Sequence, residues 1–302
     1  MVRKHNRRAA KAAYAISLAV AIVIGLVAAG AGSAAGKPPV TIGTKKFTEQ
    51  YVLGQLYKQA LEAKGYKVIY KENIGSSELI DTAIKSGKIN FYPEYDGVIV
   101  TDLAHKPFPK SAAATYSTAK SWEESRGLTL LNPTPFYDSD GFVVLRTTAQ
   151  KLGVKTIADM KKVKSFSYAG FPECKTRITC LVGLKKIYGL KQVKFVPLSS
   201  ISVYTLLDEG KVTGGDGFST DPQLQGSKYR VLTDTKHIFG FQNVAPVLTK
   251  ALAGDSKLVS IVNAVSAKLT IPAMIAMNKA VAIDKKSPAD VANAFLKANH
   301  LK

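Results

Sequence analysis

From residue 40 onward, short apolar runs alternate with stretches whose apolar residues recur at helical spacing. The short runs predict strands at Val40–Thr44, Lys67–Lys71, Ile89–Tyr92, Leu128–Leu131, Gly141–Arg146, Ser165–Ala169, Lys194–Pro197, Gly214–Phe218 and Tyr229–Leu232. The longer stretches predict helices from a Thr48 cap to Gly65, from Ser76 or Ser77 to Gly87, at Ser111–Arg126, Thr179–Tyr188 and Ser202–Glu209, and from about Asp255 onward. We expect Thr156 to begin a short capped helix and Pro288 to occupy the first position of the last helix.

This alternation indicates an α/β protein in which helices cover a mixed or parallel sheet. A local echo suggests two similar halves. Ala83–Asn90 reads AIKSGKIN and Leu206–Thr213 reads LLDEGKVT, and each combines a helix end, a glycine, a lysine and the entry to a strand.

The N-terminal 36 residues have a different composition. Five positive residues, Arg3, Lys4, Arg7, Arg8 and Lys11, precede an almost wholly apolar stretch and small-residue cleavage patterns. This composition is typical of a secretory signal, although the apolar stretch is also long enough to remain as an uncleaved membrane anchor. Neither cysteine lies near this segment, so no cysteine is available there for lipid attachment.

The 302-residue chain carries a formal net charge of +20 and is 46% hydrophobic, which is enough for a sizeable core. A net charge of this size is typical of proteins that bind nucleic acid. Here, however, the lysines are scattered over every predicted helix, and the N-terminal composition indicates that the chain is exported. We therefore expect no nucleic-acid binding, and a basic surface that favours an anionic membrane or cell wall.

Cys174 and Cys180 lie six residues apart in one predicted loop. An even number of cysteines in an exported chain favours a disulfide, and two separate buried thiols are the alternative. No metal site is expected, because no histidine or acidic residue stands at metal-ligand spacing around them. No phosphate loop, nucleophile elbow or zinc-protease motif is present either, so we expect neither an enzyme nor a cofactor.

Two segments carry the functional signal. Gly43–Gln50 reads GTKKFTEQ and follows a predicted strand, while Tyr92–Val98 reads YPEYDGV, with Pro93 expected to end a strand and open a loop. Both place exposed side chains at strand ends, where open α/β sheets bind ligands. They closely resemble the GSKNFTEQ-like and YPEYTGT-like segments of osmoprotectant-binding proteins, the extracytoplasmic receptors of ABC importers for glycine betaine, choline and related compounds.

The resemblance implies a two-lobed periplasmic-binding-protein fold, type II-like, with a ligand cleft between the lobes. It places lobe 1 at residues 37–138 plus 244–302 and lobe 2 at residues 139–243, with residues 1–36 as signal or anchor. The chain would cross between the lobes near Tyr137–Asp140 and Gly240–Asn243. The resemblance also implies a monomeric receptor that is periplasmic or lies on the extracytoplasmic face of the membrane. Its implied partners are a small solute and an ABC permease.

A quaternary ammonium is held by aromatic faces and by electrostatics, and a betaine carboxylate needs cationic or backbone donors. The resemblance carries over six ligand-binding residues: Lys45, Tyr95, Asp140, Arg177, Phe218 and Gln242. Tyr95 and Phe218 would form walls, and Lys45 and Arg177 would face a carboxylate. Asp140 and Gln242 stand where the family has rings.

The replacement of two aromatic rings by Asp140 and Gln242 leads to two further expectations. A buried carboxylate at Asp140 needs a partner, so we expect glycine betaine to bind less tightly than a cation that donates hydrogen bonds, or than a choline-like cation without a carboxylate. The alternative function is an exported basic sensor or scaffold protein that has lost osmoprotectant binding.

Overall fold

The protein, described here from a computed structural model over residues 39–199 and 201–302, contains two five-stranded sheets. Its strands are β1 Val40–Lys45, β2 Val68–Gly75, β3 Phe91–Tyr95, β4 Leu128–Leu130, β5 Asp140–Leu145, β6 Phe166–Gly170, β7 Val193–Pro197, β8 Gly214–Phe218, β9 Tyr229–Val231 and β10 Val244–Thr249. We call the sheet β2-β1-β3-β10-β4 and its covering helices lobe 1, and the sheet β7-β6-β8-β5-β9 and its covering helices lobe 2.

The helices follow the periodicity of the sequence. They are α1 Thr48–Ala63, α2 Ser77–Lys85, α3 Asp96–Val98, α4 Ala112–Ser125, α5 Arg146–Leu152, α6 Leu181–Lys186, α7 Val203–Asp208, α8 Lys250–Ala253, α9 Ser256–Ser266, α10 Ile271–Ala282 and α11 Pro288–Ala298. Between them lie a π-helical turn, Ile99–Leu103, and the 3₁₀ turns Ile157–Lys162, Pro172–Lys175 and Pro222–Gln225. The predicted capping box at Thr156 is present, and Ser287 caps α11 by accepting a hydrogen bond from the backbone N–H of Asp290.

The two sheets have the same internal order, which explains the echo in the sequence. In each, three parallel strands are followed by a strand that runs antiparallel to both of its neighbours. The echoed segments precede β3 and β8, which hold the same central place in their sheets. Gly87 and Gly210 end the helices before these strands with φ of 72° and 65°, a conformation that favours glycine.

The chain passes between the sheets twice, after β4 and after β9. The two passages pair with each other, because Tyr137 and Asn243 form an isolated antiparallel bridge and the Asp138 N–H donates to the Gln242 carbonyl at 3.0 Å. This paired connection lies beside the space between the two sheets and supports the residues that line it.

One predicted boundary is wrong. Pro93 was expected to end the strand, yet β3 continues through it to Tyr95, so Tyr95 is a buried strand residue and not an exposed loop residue. In the register with β10, Pro93 faces Pro246, and β1 pairs with β3 only at Phe91, so no described ladder needs the missing proline N–H. Thr48 is also the first residue of α1, and Phe47 takes the cap position.

Each sheet is buried on both faces by helices, which gives each lobe its own apolar core. In lobe 1, α1 packs its buried face against α9, α10 and α11, which explains the apolar character of the C-terminal helices. Among the described residues, no single helix has the length and apolar character of a membrane span, and the bent pair α9 and α10 reaches that composition when both helices are counted together. The predicted signal or anchor lies outside the described residues.

Candidate functional site

A cavity of about 610 Å³ opens between the two lobes at the ends of their central strands. All six residues that the sequence singled out line it: Lys45, Tyr95, Asp140, Arg177, Phe218 and Gln242. Other wall residues, among them Phe47, Phe171, Asp138 and Asp216, were not singled out. The cavity therefore collects most of the candidate chemistry of the chain in one place.

Lys45 ends β1 and is almost fully buried. Its ammonium forms an ion pair with Glu94, donates to the Ser77 hydroxyl at 3.1 Å, and lies 4.2 Å from the centre of the Tyr95 ring. Burial lowers the pKa of Lys45, and the Glu94 carboxylate opposes that shift. The charge is thus compensated by groups of lobe 1 before any ligand arrives.

Tyr95 is as much a core residue as a cavity wall. Its side chain is 4% exposed and belongs to the apolar core of lobe 1. Its hydroxyl donates to Glu49 Oε1 at 2.8 Å, which ties the ring to α1. The ring is rigidly placed, and Lys45 lies over it.

Three phenylalanines form a second aromatic wall. The Phe47 and Phe218 rings are nearly parallel, at 7°, with centres 6.1 Å apart, and Phe171 lies 6.3 Å from Phe218. Phe47 follows β1 and Phe171 follows β6, strands that hold the same place in the two sheets. Their position just after a strand is the sequence signal that could have identified them.

Arg177 lies between the two cysteines, in a loop that Cys174 and Cys180 close with the predicted disulfide. Its guanidinium reaches lobe 1, where Nη2 lies 3.1 Å from Glu78 Oε1 and Nε lies 3.7 Å from Asp102 Oδ2. Arg177 therefore joins the two lobes across the cavity, and lobe 1 carboxylates already compensate its charge.

Three carboxyl groups on the cavity wall lack a cationic partner among the described residues. Asp140 begins β5, directly beside Phe218 of β8, and Asp138 and Asp216 also line the cavity. In the part of the chain that the structure describes, none of the three forms an ion pair. Burial raises the pKa of Asp140 to about 7, with Arg177 opposing, and raises the pKa values of Asp138 and Asp216 well above the ordinary range.

Gln242 holds the second passage in place. Its Oε1 accepts from the Val98 N–H at 3.1 Å and its Nε2 donates to the Phe239 carbonyl at 3.4 Å. Gly97 makes this approach possible, because a Cβ there would lie 2.2 Å from the Phe241 carbonyl oxygen. The amide is engaged with backbone at both ends, so its expected contact with a ligand stays a prediction.

Within residues 39–199 and 201–302, one group of side chains has the separation of metal ligands: Cys174, Cys180 and Asp216. The two sulfur atoms are bonded to each other, so they do not offer thiolates. The disulfide therefore lies next to the Asp216 carboxyl group at the cavity.

Comparison with known proteins places this geometry in a known group. The family model described as the substrate binding domain of ABC-type glycine betaine transport systems matches residues 38–298. A glycine-betaine-binding protein of Pseudomonas aeruginosa is 31% identical over 290 residues, covering 92% of each chain. The carnitine transport binding protein of Listeria monocytogenes is 24% identical, covering 87% of this chain and 88% of the other.

A solved structure of a glycine betaine/carnitine/choline ABC transporter has the same fold. It aligns with a TM-score of 0.69 at 24% identity, over 87% of this chain and 99% of the other. The similarity extends over both lobes and confirms the predicted two-lobed α/β fold.

Proposed function

This chain belongs to the family of substrate binding domains of ABC-type glycine betaine transport systems, and from that premise we propose that its solute is a small organic cation without a carboxylate. Members of this family are extracytoplasmic binding proteins that capture small solutes for an ABC permease, and they are not enzymes. The family thus gives the role, and the charges of the cavity suggest the solute.

The unequal pairing of charges in the cavity carries the proposal. Two of the three cationic residues on the cavity wall, the buried Lys45 and the half-buried Arg177, are already compensated by lobe 1 carboxylates, and the third, Lys46, is exposed. The carboxyl groups of Asp138, Asp140 and Asp216 have no cationic partner among the described residues. Burial without a partner disfavours the ionised form of these groups, so a ligand cation gains by pairing with Asp140 as it ionises, whereas a ligand carboxylate would oppose that ionisation.

The aromatic residues support the same reading. Each cation–π contact contributes about 0.5–2 kcal/mol in a desolvated site. The rings of Phe171 and Phe218 offer such faces at the cavity, and Asp140, beside Phe218, offers an acceptor for a ligand N–H. Lys45, Tyr95, Asp140, Arg177, Phe218 and Gln242 are proposed as the ligand-binding set, now joined by Phe47 and Phe171.

Choline and glycine betaine form a matched pair of probes, because both carry a trimethylammonium group and only the betaine carries a carboxylate. Titration calorimetry should give a dissociation constant for choline at least about tenfold lower than that for glycine betaine. Carnitine, a second zwitterion, and agmatine, which has N–H donors, complete the panel.

Asp140→Asn should weaken choline binding about tenfold and leave betaine binding unchanged or stronger. Glu62→Gln, which removes an exposed carboxylate paired with Lys58, is the matched control and should change neither. Tighter binding of betaine that is insensitive to Asp140→Asn would contradict the proposed solute class. If none of the four compounds bound, the result would favour the alternative of an exported sensor or scaffold.

The lobe boundaries, the N-terminus and the surface belong to the same proposal. We propose residues 37–138 plus 244–302 for lobe 1 and 139–243 for lobe 2, with hinge closure at the two passages. Residues 1–36 would direct export as a cleaved signal or a retained anchor, and N-terminal sequencing of the exported protein distinguishes the two. We further propose a monomer whose basic surface favours an anionic membrane or wall.

A further inference from the structure

A chain of hydrogen bonds, separate from the contacts of Arg177, also connects the lobes. Glu49 of α1 accepts from Tyr95 and from Asn278 Nδ2, which are both in lobe 1. Its Oε2 atom also accepts from the hydroxyl of Thr220, which follows β8 in lobe 2, at 2.6 Å. Glu49 is therefore the lobe 1 end of a contact that exists only when the lobes are together.

The Thr220 hydroxyl has two carboxyl neighbours and a single proton. Its Oγ1 lies 2.6 Å from Glu49 Oε2 and 2.8 Å from Asp138 Oδ1. A hydroxyl can donate to only one of them. If both carboxyl groups were ionised, a lone pair of the Thr220 oxygen would face the carboxylate that receives no proton, at a short distance. One added proton satisfies both contacts, because Asp138 can then donate to Thr220 while Thr220 donates to Glu49.

We propose that Glu49 is a positioning residue for the ligand site, and that it holds the lobes closed through an Asp138–Thr220–Glu49 chain that takes up one proton on closure. The inference rests on the proposed function, because it concerns regulation of the same cleft. No ligand contact is assigned to Glu49, which acts through Tyr95 and Thr220.

The electrostatic surroundings favour this protonation. Burial raises the pKa values of both carboxyl groups, and the charge of Glu49 raises that of Asp138 further. The groups that face the pair are Tyr95 on β3, Tyr204 on α7, Asp221 after β8, and Lys46, which lines an adjoining cavity of about 400 Å³. Among the described residues neither carboxyl group forms an ion pair, and Asp221 adds further negative charge.

The sign of the pH dependence follows from this. In an open form the Thr220–Glu49 contact is broken and water reaches the two carboxyl groups, which brings their pKa values toward the ordinary value of about 4. Closure raises the pKa of the pair, so it takes up a proton at any pH between the open and closed values. The closed form is favoured at low pH and loses that advantage as the pH rises, by at most about tenfold in the closed-to-open ratio per pH unit.

Small-angle scattering of the ligand-free protein, purified from the extracytoplasmic compartment, tests the chain without a known solute. Between pH 5 and 8.5 the radius of gyration of the wild type should increase. Glu49→Gln should stay compact at pH 8.5, because the amide donates to Thr220 and leaves that hydroxyl free to donate to an ionised Asp138. Thr220→Ser keeps the hydroxyl and should behave as the wild type.

Glu123→Gln is the matched control, since Glu123 is a buried carboxyl with a raised pKa of about 8 whose ion-pair partner, Arg126, lies beside it in lobe 1. It should open over the same pH range as the wild type. A radius independent of pH, or Glu49→Gln opening over the wild-type range, would overturn the proposal. Because no solute is added, these outcomes are independent of whether choline or any other compound binds.

Discussion

The Nζ atom of Lys45 lies 4.2 Å from the centre of the Tyr95 ring, so one of the protein's own cations covers an aromatic face at the ligand cavity. Ion pairing with Glu94 and a hydrogen bond to Ser77 hold it there. A ligand cation that approached the same face would be repelled by the ammonium. The ring therefore orients Lys45, and since Lys45 also lies 5.7 Å from the centre of the Phe47 ring, Phe171 and Phe218 are better placed to receive a solute cation.

The Lys45–Glu94 pair gives the first prediction. Lys45→Met should lower the free energy of unfolding by about 3–5 kcal/mol, because it leaves the Glu94 carboxylate buried without its partner. Adding Glu94→Gln should restore much of the loss, since the orphaned charge is removed. Urea denaturation of the two single variants and the double variant measures the coupling. Additive losses would show that the two side chains do not interact energetically.

The second prediction separates the two aromatic walls. Phe218→Ala should weaken binding of a cationic solute by about 1–2 kcal/mol through loss of a ring face, with a smaller effect on folding because the ring lies at the cavity. Tyr95→Ala should cost about 3–5 kcal/mol of stability, because it leaves a hole in the core of lobe 1.

Phe218→Tyr keeps the ring and serves as the control for the wall. Calorimetry with choline and thermal unfolding, carried out on all three variants, distinguish binding from stability. An unchanged affinity in Phe218→Ala would remove Phe218 from the ligand-binding set.

The fold was largely readable from the sequence, because strand and helix periodicities are local. The echo before β3 and β8 even indicated that two lobes share one topology. The error at Pro93 has a non-local cause, since β10 pairs with β3 on both sides of Pro93 and places Pro246 opposite it. A local rule about proline cannot anticipate that register.

The sequence brought together residues that share one cavity, but it did not anticipate how their charges are paired. All six predicted residues line the cavity. From the sequence we expected Lys45 and Arg177 to face a ligand carboxylate. In the structure they form ion pairs with Glu94 and Glu78, which lie in other segments of lobe 1. Arg177 pairs across 99 positions of sequence, a contact that only the meeting of the lobes creates.

The third prediction concerns the disulfide. Cys174 and Cys180 close a short loop, so replacing both with serine should lower the free energy of unfolding by only about 2 kcal/mol. The larger effect should be on affinity, because the loop holds Arg177 against Glu78. Mass spectrometry of unreduced protein from the native compartment must show the pair as joined, and two free thiols would contradict this prediction.

The last prediction is a pH dependence of solute binding that changes sign. Burial raises the pKa of Asp140 to about 7. A bound cation favours the ionised carboxylate, so affinity should fall as the pH drops below about 7, by up to about tenfold per pH unit, and level off above it. Asp140→Asn should abolish this fall, because the amide does not titrate.

The proton chain through Glu49 acts in the opposite direction, because closure that takes up a proton is favoured at low pH. Choline affinity of the wild type should therefore pass through a maximum. In Asp140→Asn, choline affinity should fall only as the pH rises. In Glu49→Gln, it should fall only as the pH drops. Calorimetry from pH 5 to 8.5 measures both limbs. Identical profiles in the wild type and Asp140→Asn would show that another carboxyl group, with Asp216 the next on the cavity wall, meets the cation.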